Sequence, residues 1–67
     1  PTYALVESEW ALKEHPDNWA LQAMDGEVKL ANGMVQEAFI SFTHASEKGP
    51  GEKWVSERLA ELKSQVP

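Results

Sequence analysis

The architecture hangs on residues 25–43, Asp25-Gly26-Glu27-Val28-Lys29-Leu30-Ala31-Asn32-Gly33-Met34-Val35-Gln36-Glu37-Ala38-Phe39-Ile40-Ser41-Phe42-Thr43. Two dipeptides punctuate it. Asp25-Gly26 and Asn32-Gly33 both suit tight hairpin turns, where a positive φ is needed. They divide the middle of the chain into segments 19–24, 27–31 and 34–43. Val28 and Leu30 alternate with Glu27 and Lys29, as in a half-buried strand. The run Ala38-Phe39-Ile40-Ser41-Phe42-Thr43 is rich in strand-forming types. These signals predict a three-stranded antiparallel meander. A rival pattern runs through the same residues: Met34, Val35, Ala38, Phe39 and Phe42 fit a helical stripe, and Lys48-Gly49-Pro50 makes a good helix stop. Ile40 falls off that stripe, and a helix leaves the turn dipeptides without a role, so the strands are preferred.

Upstream, residues 2–15 read as a helix. Val6 and Trp10 lie one turn apart, as do Glu9 and Lys13 in the favourable acid-before-base order. His15-Pro16-Asp17-Asn18 stops it, because proline disfavours helix in the residue before it. An alternative makes 2–6 a short strand, with Ser8 capping a helix over 9–14. Downstream, 45–51 reads as a loop around Gly49-Pro50-Gly51. A helix follows over 52–65, with Val55, Leu59, Leu62 and Val66 on one side and Glu52, Lys53, Glu57, Arg58 and Lys63 left for water. The expectation is one α+β domain over residues 1–67: helix, three-stranded meander, and a C-terminal helix packed with the first on one sheet face. A small all-α domain is the alternative. Five segments and no internal repeat are read.

Of the 67 residues, 42% are hydrophobic, and three tryptophans supply core material, which argues against disorder. A chain this short buries a modest share of its surface. With no cysteine it has neither disulfides nor thiolate-bound zinc to compensate, which favours oligomerisation or a partner. The net charge is −5, and residues 1–33 hold six acids against two bases. Such a balance repels phosphate backbones. No apolar run approaches a membrane span and no signal segment is visible, so a cytoplasmic location is expected.

The chemistry-bearing residues are sparse. His15 and His44 are far apart and lack metal-ligand spacing. Glu7 and Glu9 diverge on a helix, and Glu57 and Glu61 share a solvated face beside Arg58. No nucleophile motif is present, and Gly49-Pro50-Gly51 lacks the length and ending of a phosphate-binding loop. No catalytic residue, cofactor or metal is therefore assigned. Pro1 carries a terminal secondary amine, the catalytic base of the tautomerase superfamily in chains of this size. Pro16, Gly26 and Gly33 interrupt the long helix that superfamily requires, and Arg58 is the single arginine. The helix–three strands–helix order resembles the double-stranded-RNA-binding domain in topology. That resemblance implies a lysine-rich start to the last helix, where this chain has Gly51-Glu52-Lys53-Trp54.

On strand geometry Ala38, Ile40 and Phe42 face one side of the third strand, and Val35 and Phe39 the other. A sheet with helices on one face is polar on its second, so apolar residues on both sides call for a second cover. Val35 and Phe39, with Trp19, are the interface residues this implies. The expected function is that of a small acidic non-enzymatic protein, a regulator, inhibitor or accessory subunit that binds a protein partner or a second copy of itself. A nucleic-acid-binding module and a Pro1-dependent enzyme are the alternatives.

Overall fold

The described residues contain four helices and no strand: α1 (Thr2–Glu14), α2 (Trp19–Ala31), α3 (Val35–Lys48) and α4 (Lys53–Lys63). They come from a computed structural model that describes residues 2–65, with side chains from Ala4 onward. The predicted α+β order is overturned, and the all-α alternative is the one that forms. Residues 2–14 are helical throughout, which decides against a strand over 2–6. Asn18 caps α2, its side-chain oxygen accepting from the Leu21 N–H at 3.1 Å.

Both turn dipeptides have another physical use. Asp25-Gly26 lies in the middle of α2, and Gly26 is there for closeness: a Cβ on it would sit 2.6 Å from Cε2 of Phe42. Asn32-Gly33 does reverse the chain, but between two helices. The Gly33 N–H donates to the Leu30 carbonyl at 3.0 Å and the Met34 N–H to the Lys29 carbonyl at 2.8 Å. This is the paired-bond C-terminal cap that needs a left-handed residue, and Gly33 has φ of 75°. Gly33→Ala is expected to cost about 1 kcal/mol, and Gly33→Asn less, in urea melts followed by circular dichroism.

The stretch read as the third strand is the centre of α3. Ala38, Ser41, Phe42 and Ala45 are buried at three- and four-residue spacing, and Ile40 is 54% exposed. The residue off the helical stripe points to water. Strand-forming types here are overruled by packing: Phe42 lies on Gly26 and meets the Trp54 ring edge-on, with centroids 6.3 Å apart. Helix α3 continues to Lys48 and takes up most of the expected loop. Ala23, Ala38, Phe42, Ala45, Val55 and Leu62 form the core.

Each helix packs on the next along the chain. The order is also periodic, which corrects the expectation of no repeat. Helix α2 begins at Trp19 and α4 at Lys53, 34 residues on. At the same offset Ala4 matches Ala38, Ala11 matches Ala45, Pro16 matches Pro50, Leu21 matches Val55 and Val28 matches Leu62. The α1–α2 and α3–α4 pairs thus share their element order and these positions at a 34-residue offset.

Candidate functional site

Helix α2 carries a carboxylate into the interior. Asp25 is fully buried, and each of its oxygens has a serine donor from a different neighbour: Ser8 Oγ of α1 donates to Oδ1 at 2.7 Å, and Ser41 Oγ of α3 to Oδ2 at 2.8 Å. Lys29, one turn along α2, places Nζ 2.7 Å from Oδ2 and also donates to Ser41 Oγ at 3.3 Å. Burial pushes the Asp25 carboxyl up, but the hydrogen bonds from Lys29, Ser8 and Ser41, with the charge of Lys29, hold it below its ordinary value. A carboxylate held ionised in this way is a poor proton carrier near neutral pH. The cluster clasps three helices together and leaves no buried side-chain polar atom unpartnered among the described residues.

Beside this clasp, an open trough of about 250 Å³ lies between α1 and α2. Ala4, Glu7, Ser8 and Ala11 form the α1 wall, and Leu21, Met24 and Val28 form the α2 wall. Apart from Glu7 and Ser8 the lining is apolar. The volume falls below the roughly 300–1,000 Å³ of typical small-molecule sites. Glu27 of α2 takes a two-point contact from Arg58 of α4, Nε to Oε1 at 2.7 Å and Nη2 to Oε2 at 3.2 Å. Those bonds raise the guanidinium pKa further.

Trp19, Val35 and Phe39 are each partly buried and packed against the core, but Trp19 lies by Gly49, past the C-terminal end of α3, whereas Val35 begins that helix. The two-faced strand that singled them out does not form; these residues lie on helices, partly buried against the core. The large hydrophobic side chains that face water are Val6, Trp10, Met24, Ile40 and Trp54. His15 and His44 are exposed, and no group of three or more potential metal ligands forms among the described residues. Pro1 lies outside the described residues. The double-stranded-RNA topology has no sheet to rest on. No described helix is long and apolar enough to cross a membrane. Asp25 escaped notice because it was assigned to a turn; its helical i, i+4 spacing to Lys29 was the signal that could have found it.

No known protein family matches this chain, and no curated protein or solved structure shows significant similarity to it.

Proposed function

We propose that this chain is a segment of a helical-hairpin repeat protein whose work is to hold another polypeptide, not to catalyse a reaction. The 34-residue recurrence of the α1–α2 pair in α3–α4 carries the proposal. Repeats of this kind stack supersecondary units that cannot bury their apolar faces alone, and they present extended surfaces to partners. The order Gly26, Ala38, Phe42, Pro50 resembles the helix–turn–helix pattern of tetratricopeptide units, which share the 34-residue period. The chain departs from that pattern at Gln22, Asp25 and Lys29, where the pattern has tryptophan, leucine and tyrosine. Two of those three departures are the buried ion pair.

The exposed apolar side chains support the same role, and one of them, Met24, lines the trough. A photo-crosslinking residue placed in turn at Val6, Trp10, Met24, Ile40 and Trp54 is expected to trap a discrete polypeptide from native extract at one or more of them. The same residue at exposed Glu57 provides the background. Trapping no stronger at any apolar position than at Glu57 counts against a polypeptide-binding role.

A further inference from the structure

The corner between α2 and α3 is built on a dipeptide with a chemistry of its own. In Asn32-Gly33 the glycine has no side chain to obstruct attack of its backbone nitrogen on the asparagine side-chain amide. In that reaction the Gly33 nitrogen gives up its proton and bonds to Cγ of Asn32. The Cγ–Nδ2 bond breaks, and ammonia leaves. Water then opens the succinimide ring at one of its two carbonyls. Opening at Cγ leaves aspartate. Opening at the main-chain carbonyl leaves isoaspartate, whose backbone runs through Cβ and Cγ and is longer by one methylene.

The folded corner keeps the reacting atoms off this path. Asn32 Nδ2 donates to the Val28 carbonyl at 2.8 Å. The Gly33 N–H, whose nitrogen is the nucleophile, donates to the Leu30 carbonyl at 3.0 Å. Ring closure needs that nitrogen alongside Cβ of Asn32, and a ψ of 10° sets it beside the Asn32 backbone nitrogen instead. The Met34 N–H, donating to the Lys29 carbonyl at 2.8 Å, fixes the chain on the far side. Gly33 is exposed and Asn32 half-buried, so water reaches the pair as soon as the corner opens. We propose that Asn32 is a deamidation site gated by the fold, closed while the α2–α3 corner is formed and converted irreversibly in chains where it has opened. The conversion reinforces itself. An ionised aspartate has no donor for the Val28 carbonyl, and it brings negative charge to the C-terminal end of α2, where the helix dipole disfavours it. Isoaspartate lengthens the backbone between the bonds that close the cap. A converted chain therefore re-forms the corner less readily than an unconverted one.

The test incubates the natural chain and Phe42→Ala in the same mildly alkaline buffer, with circular dichroism recording which of them is folded. Peptide mapping by mass spectrometry follows the amide-to-acid mass gain at each asparagine. Asn32 is expected to convert about a hundredfold faster in the unfolded chain. Asn18, which precedes the bulky Trp19, is expected to stay slow in both. The natural chain unfolded in guanidinium chloride at the same pH gives the same comparison without a substitution. Asn32→Asp, made directly, is expected to raise the unfolded-to-folded ratio about threefold in urea melts. Equal rates at Asn32 in folded and unfolded chains overturn the gate. An unfolded chain that converts no faster at Asn32 than at Asn18 overturns the site itself. An Asn32→Asp chain as stable as the natural one overturns the self-reinforcement.

Discussion

Phe42→Ala is expected to leave this chain largely unfolded at 25 °C. Phenylalanine-to-alanine changes in cores cost about 3–5 kcal/mol, and a domain of this length has only some 3–10 kcal/mol in total. Phe42 is fully buried, reaches the Trp54 ring and rests on α2 where Gly26 lacks a side chain. The partner glycine gives the sharper result. In the natural sequence Gly26→Ala sets a Cβ 2.6 Å and 2.8 Å from two ring carbons of Phe42. The helices must separate, at a cost of about 1–3 kcal/mol. With Phe42→Leu, which keeps the fold measurable, that obstruction shrinks, and the helix preference for alanine over glycine, about 1 kcal/mol, opposes it. Gly26→Ala is therefore expected to be clearly destabilising beside Phe42 and close to neutral or stabilising beside leucine, read from urea midpoints of the four chains. Equal costs in both backgrounds would show that the ring does not sit on the glycine.

That one contact also explains how much of the molecule was legible in its sequence. The first and last helices were, because Val6 with Trp10, and Val55 with Leu59 and Leu62, repeat at helical spacing and are bounded by Pro16 and Pro50. The middle was misread because its local signals were true of the residues and false of their setting. Asp25-Gly26 is a good turn dipeptide, but the hydroxyls of Ser8 and buried Ser41, and a phenylalanine ring 16 residues from Gly26, give both residues a place inside a helix. Ala38-Phe39-Ile40-Ser41-Phe42-Thr43 suits a strand by composition, while its burial follows the helical period. The repeat was present in plain view as Ala4 and Ala38, Ala11 and Ala45, Pro16 and Pro50. Alanines weigh little in a hydrophobic pattern, so these positions drew no attention until the helices placed them against neighbours. The trough was not legible, because its lining is set by how α1 and α2 lie together. Trp19, Val35 and Phe39 were singled out by a strand geometry that does not form, and each packs partly buried against the helical core.

Asp25→Ala is expected to cost about 3–5 kcal/mol, the usual penalty for removing one member of a buried ion pair. Lys29 loses its counter-charge, and the Ser8 and Ser41 hydroxyls lose the acceptor that joins α1 and α3 through α2. Because the Lys29 side chain is 19% exposed and can regain water, the lower end of that range is expected. Asp25→Asn keeps the shape and removes the charge, so its comparison with the natural chain isolates the ionic part. The folded carboxyl titrates below its ordinary value of 3.8. Its contribution is therefore complete above the unfolded value and disappears as pH falls through the folded one. Urea stabilities of the natural chain and Asp25→Asn should differ by a constant amount from pH 7 down to about 4.5, then converge as Asp25 takes up its proton in more acidic solution. Convergence identifies charge, held by Lys29 and two serines, as what binds the helices at this point. A gap that stays the same at pH 2.5 means instead that shape and neutral hydrogen bonds carry the clasp, and Lys29→Met should then be tolerated with little loss.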